Sequence, residues 1–80
     1  MTRQDILKEL EEIFRDTFDN DDIVLNDNTN SADIEDWDSL RQATLLVAIE
    51  NVFHIRLAIS ETRHLKNVGA LIDLVAQKIQ

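Results

Sequence analysis

Apolar residues recur near the start of the chain at Ile6, Leu7, Leu10, Ile13, Phe14 and Phe18, the spacing of one face of an α-helix. Glu9, Glu11, Glu12 and Arg15 occupy the other faces, so this stretch is read as an amphipathic helix of about four turns. Thr2 is its cap, with Asp5 standing where the Glu or Gln of a capping box usually sits. From Asp19 to Asp38 neither the helical nor the alternating period is present. Asn, Asp, Ser and Thr dominate instead, residues whose side chains compete for local backbone hydrogen bonds and favour turns. A loop of this length is uncommon in a small domain and usually has its own role. Val24, Leu25 and Ile34 are expected to pin it to the core, with room for a short helical turn.

A second helix is predicted from about Ser39 to Phe53, with Asp38 as its N-cap. Apolar residues lie on more than one of its faces, as in a helix packed against several neighbours, and Arg41 and Glu50 are its charged residues. His54 to Ile59 reads as an extended connector with alternating burial. Ser60 is placed as the cap of a short helix running through Lys66. Asn67 then caps a last helix whose stripe is Val68, Leu71, Ile72, Val75 and Ile79, with Gly69 in the first turn. The expected fold is all-α, a small bundle of three main helices plus one short helix, with a long acidic loop between helices 1 and 2. Residues 1–80 are expected to form one domain.

Composition narrows the function. The net charge of −8 opposes nucleic acid, whose phosphates require Lys and Arg, and it opposes anionic membrane surfaces. A basic protein partner is the natural complement. No cysteine is present, so neither a disulfide nor a thiol comes from the chain itself, which suits a reducing cytoplasm. The first residues lack a signal-peptide apolar segment, and the longest apolar run, Leu45–Ile49, is far too short to span a bilayer.

One serine stands at a sharp change of character. Between Asp16 and Leu40 there is no Lys or Arg, while Asp16, Asp19, Asp21, Asp22, Asp27, Asp33, Glu35, Asp36 and Asp38 are all acidic. The apolar helix begins at Leu40, so Ser39 lies where a helix N-terminus leaves free N–H groups and a positive dipole end. A phosphate ester on its hydroxyl suits that position. The tripeptide alone equally describes an ordinary helix cap. A hydrolytic nucleophile fits poorly, because Asp38 and Leu40 replace the flanking glycines of a nucleophile elbow and the acidic surroundings oppose an oxyanion. Only His54 and His64 are available as bases. The acidic loop lacks the glycine and the final Glu of an EF-hand, and the histidines lack the spacing and the cysteines of a metal set. No metal site is expected. Trp37 reads as a packing residue at the loop–helix junction.

Asp38-Ser39-Leu40 heading an apolar helix, followed by Leu45-Leu46-Val47-Ala48-Ile49-Glu50 and Phe53, resembles the acyl carrier proteins. Leu65-Lys66-Asn67-Val68 with Leu71-Ile72-Asp73-Leu74-Val75 is similar to their last helix. The resemblance covers essentially the whole chain. It implies that Ser39 is esterified with 4′-phosphopantetheine, taken from coenzyme A by a separate phosphopantetheinyl transferase. The terminal thiol of that arm would then hold acyl cargo as a thioester. Asp38 and Leu40 flank the attachment point. The resemblance further implies a non-enzymatic, monomeric shuttle between acyl- or aminoacyl-loading and processing enzymes. It also implies that a chain folded back between the helices would meet Leu40, Ala43, Leu46, Val47, Leu57, Ile59, Leu65 and Leu71.

The departures from the family pattern are informative. Asp36-Trp37 stands where fatty-acid carriers usually have a small Gly-Ala pair, and the Gly-rich lead of peptidyl carriers is missing. The second helix carries Arg41, Gln42 and Thr44 where acidic docking residues are usual, retaining Glu50, while Arg56, Arg63, His64 and Lys66 make the third-helix region basic. Arg41, Glu50 and Arg56 are therefore the expected docking residues of a specialised carrier. The competing reading is an unmodified acidic interaction module.

Overall fold

A computed structural model describes residues 1–63 and 65–79. Its helices are α1 (Arg3–Phe18), α2 (Ser39–Phe53), α3 (Ile59–Thr62) and α4 (Val68–Lys78), with one 3-10 turn at Ser31–Asp33 in the long loop. Among the described residues there is no strand, and no described helix is long and apolar enough to cross a membrane.

The helix ends follow from local chemistry. Thr2 Oγ1 accepts the Asp5 N–H at 3.1 Å while Asp5 Oδ2 accepts the Thr2 N–H at 3.0 Å, a reciprocal capping box. Asp38 Oδ1 accepts the Arg41 N–H at 2.8 Å, and Asn67 Oδ1 accepts the Ala70 N–H at 2.9 Å. With its one glycine used elsewhere, the chain stops α1 and α2 on Asp19 (φ 50°) and His54 (φ 56°), both left-handed. These residue types are among the non-glycine residues enriched in that conformation.

α1 packs against both α2 and α4. Its Ile6, Leu10, Ile13, Phe14 and Phe18 meet Leu45, Ile49 and Phe53 of α2 and Val68, Leu71, Ile72 and Val75 of α4 in one core. α2 buries only that one stripe. Leu40, Val47 and Val52 remain exposed, so its wide apolar surface does not mean burial on several sides.

Ile23, Leu25 and Ile34 anchor the loop, whereas Val24 is 71% exposed. In extended chain successive side chains alternate, so burying Ile23 and Leu25 turns Val24 outward. Backbone groups do the remaining work. Leu25 N–H donates to Glu11 Oε2 at 2.9 Å, and Arg15 Nε donates to the Ile23 carbonyl at 2.9 Å. At the other side the Thr29 and Asp27 carbonyls accept the Val68 and Gly69 N–H groups at 2.8 and 2.9 Å. These are N–H groups that an α-helix start leaves without partners, so the loop caps α4 with its own backbone.

The short helix differs from the expected one. It begins after Ala58, places Ser60 inside rather than at the cap, and ends at Thr62 rather than Lys66. Glu61 explains the shift, because its Oε1 accepts the Ala58 N–H at 3.0 Å and so sets the start two residues earlier. His64, assigned above to a basic region, lies outside the described residues.

Two predictions follow from these contacts. A Cβ on Gly69 would lie 2.9 Å from the Asp27 carbonyl oxygen. Gly69→Ala should therefore destabilise by about 1 kcal/mol or more, as overpacking does, despite the better helix propensity of Ala; urea unfolding measures it. Glu61 has its pKa held below the ordinary 4.5, first by the hydrogen bond from Lys78 and then by the Ala58 N–H. With the folded pKa the lower one, this contribution is present above the unfolded value and is lost as pH falls through the folded one. Glu61→Gln should lower the urea midpoint at neutral pH, and the gap to the parent should close as pH falls through the folded pKa, which lies below 4.5.

Candidate functional site

The head of α2 is fixed from three directions. Asp36 adopts φ 66°, and the Asp38 N–H returns to its carbonyl at 2.9 Å, which turns the chain out of the loop. Between them Trp37 lies edge-on to Phe14, ring centroids 5.3 Å apart and planes at 85°, and 5.9 Å from Phe18. Such edge-to-face pairs are favourable beyond the area they bury. Its indole Nε1 donates to Gln42 Oε1 on the first turns of α2. The packing role expected of Trp37 is the one it has.

Arg41 completes the attachment. Its Nη1 donates to the Thr17 carbonyl at 2.8 Å, one of the carbonyls that the end of α1 leaves without a helical partner. The side chain is half-buried and staples α2 to α1 rather than standing free for a partner. Glu50 is committed in the same way, its Oε2 accepting the Leu57 N–H at 2.9 Å to tie the connector to α2. Arg56 is exposed and makes no ion pair among the described residues.

Ser39 is the first residue of α2 and is exposed. It borders a cavity of about 490 Å³, within the range usual for small-molecule sites, about 300–1,000 Å³. From α2 the lining comprises Ser39, Gln42, Ala43, Leu45 and Leu46, of which Ser39, Gln42, Ala43 and Leu46 stand at i, i+3, i+4 and i+7 on one helical face. Ile59 and Leu65 close the opposite side, and Leu71 lies at the α4 side. Five of the eight residues given above as a possible acyl-chain lining thus meet at one cavity: Ala43, Leu46, Ile59, Leu65 and Leu71. Val47 and Leu57 do not line it, nor does Leu40. Leu40 and Val47 stand with Thr44 on a neighbouring, solvent-facing stripe, where Leu40 is 75% exposed. Leu57 packs against the core instead.

The cavity also takes residues that periodicity alone did not assign to it. Gln42 was findable as the i+3 neighbour of Ser39. Asn30, Arg63 and Lys66 were not, because they reach it only through the paths of the loop and the α3–α4 connection.

Comparison with solved structures finds a holo acyl carrier protein from Geobacter metallireducens, determined by solution NMR, with a TM-score of 0.86 and 46% sequence identity. The match covers 91% of this chain and 84% of that one. The chain belongs to the acyl carrier protein family. No family model matches, and neither does a curated protein sequence. Within an acyl carrier the all-helical architecture found here is the expected one.

The engagement of Arg41 changes what its mutation should do. Arg41→Glu removes the bond to Thr17 and places an acid beside the carbonyls it satisfied. Stability should fall by about 1 kcal/mol, near the typical value of one hydrogen bond. Urea unfolding of Arg41→Glu beside Arg56→Glu checks this, with the Arg56 variant expected to unfold like the parent.

Proposed function

We propose that this acyl carrier holds 4′-phosphopantetheine as a phosphodiester on Ser39 and carries acyl groups between partner enzymes. One observation carries the reading: the exposed serine heading α2 borders an apolar-floored cavity, in a chain 46% identical to a holo acyl carrier protein. When bound, the arm supplies the thiol that a cysteine-free chain lacks, and that thiol carries cargo as a thioester. The residues present fit the group. A phosphodiester on Ser39 would meet the positive end of α2, whose first turn contains no acid. Asp38 keeps its carboxylate on the Arg41 N–H, which fixes the turn that presents Ser39 Oγ. Leu40 stands exposed beside the attachment point, available to an enzyme that must bind there.

The partners are a phosphopantetheinyl transferase, which draws the arm from coenzyme A, and the enzymes that load and process the acyl or aminoacyl cargo. Docking draws on the exposed stripe of Leu40, Thr44 and Val47 with Arg56 at its far end, Arg41 and Glu50 being occupied within the fold. The pathway is a fatty-acid, polyketide or other specialised biosynthesis in the cytoplasm, served by a monomeric carrier of residues 1–80 with no turnover of its own.

The test is the intact mass after incubation with coenzyme A, magnesium and a broad-specificity phosphopantetheinyl transferase. The parent should gain one phosphopantetheine and Ser39→Ala none. A folded parent that gains nothing, even with a transferase from its own host, would make the chain an unmodified interaction module.

A further inference from the structure

The cavity beside Ser39 has an apolar floor, but its rim has an unusual bias. Arg63 and Lys66 both line it. Of the eight Lys and Arg in the chain, Arg3, Arg15 and Lys78 form ion pairs and Arg41 binds the Thr17 carbonyl. That leaves Lys8, Arg56, Arg63 and Lys66 without an ion pair among the described residues, and two of these four sit on this rim. The nearest acid on α3 does not neutralise them, because Glu61 holds Lys78 Nζ at 2.8 Å and the Ala58 N–H at 3.0 Å.

The neutral rim groups share the bias. Asn30 Oδ1 accepts the Ala32 N–H at 2.8 Å, and Asn67 Oδ1 accepts the Ala70 N–H at 2.9 Å. Gln42 Oε1 accepts the Trp37 indole N–H. An indole N–H and a backbone N–H can only donate, so chemistry dictates the orientation of all three amides. Each has its oxygen turned into the protein and its NH₂ left to donate elsewhere. Thr62 is the exception: it gives its proton to the Ile59 carbonyl at 2.9 Å and is itself buried. The rim therefore combines two cations with three amides whose NH₂ groups remain free to donate, beside the hydroxyls of Ser31 and Ser39.

A purely aliphatic guest would gain nothing from these groups. A guest ending in an anion would satisfy them, with the guanidinium of Arg63 able to bind a carboxylate in bidentate fashion. Elsewhere the −8 chain repels such a group. We infer that the cavity receives an acyl group whose far end is an anion, such as the free carboxylate of a diacid linked through one thioester. This rests on Ser39 being the attachment point.

A transferase that accepts acyl-coenzyme A can load glutaryl and hexanoyl arms, two chains of similar length that differ in the terminal charge. Thioester cleavage by hydroxylamine then measures shelter in the cavity. The glutaryl form should be cleaved about two- to fivefold more slowly than the hexanoyl form, the scale of a partly exposed ion pair. The double variant Arg63→Gln/Lys66→Gln should erase that difference without changing the melting temperature of the holo protein. Equal or better protection of hexanoyl overturns the inference. So does a double variant that alters holo, glutaryl and hexanoyl forms alike, which would assign the two cations to the phosphate of the arm. A folded protein that gains no mass removes the carrier reading and the inference with it, whereas a loaded protein without cargo discrimination removes the inference alone.

Discussion

The edge-on contact of Trp37 with Phe14 is the constraint on which the presentation of Ser39 depends. It fixes where the end of the loop meets α1, and with it the point at which α2 begins. Asp38 and Arg41 act on a geometry already defined by that ring, one by closing the first turn of α2 and the other by reaching back to the end of α1. Ser39 is thereby exposed without being loose. Trp37 before it packs on Phe14 and Arg41 after it binds the end of α1, while Ser39 itself stays exposed.

The acidic loop is held by a different logic. A chain with 16 acidic and 8 basic residues cannot fasten a loop chiefly by ion pairs, because most carboxylates would lack a counter-ion. The attachment instead uses carbonyls of the loop on the free N–H groups of α4, together with Ile23, Leu25 and Ile34 in the core. Gly69 is where this arrangement is tightest. Many loop carboxylates then stay in water, and the scarce cations are left for particular tasks, among them the rim beside Ser39.

Much of this was legible in the chain. The 3.6-residue spacing of apolar positions and the cap residues Thr2, Asp38 and Asn67 located the three main helices, since helix starts are decided by local bonds that sequence displays. Burial was less legible. Val24 and Ile23 are chemically equivalent, and only the path of the loop decides which faces inward. Arg41 and Glu50 looked exposed because helical phase says nothing about a carbonyl at the end of another helix or an N–H in a connector. The cavity was half visible for the same reason: its α2 face follows from periodicity, whereas Asn30, Arg63 and Lys66 arrive from segments without a period.

Trp37 also gives the molecule an optical consequence. It is the only tryptophan, and it both lines the cavity and packs on Phe14 and Phe18. Its emission therefore samples two environments at once, the hydration of the space beside Ser39 and the integrity of the junction between α1 and α2. A guest that displaces water from the cavity acts on one side of the indole, and melting of the core acts on the other. The carrier thus contains an intrinsic fluorophore at the boundary between its binding space and its fold, with no second tryptophan to obscure the signal.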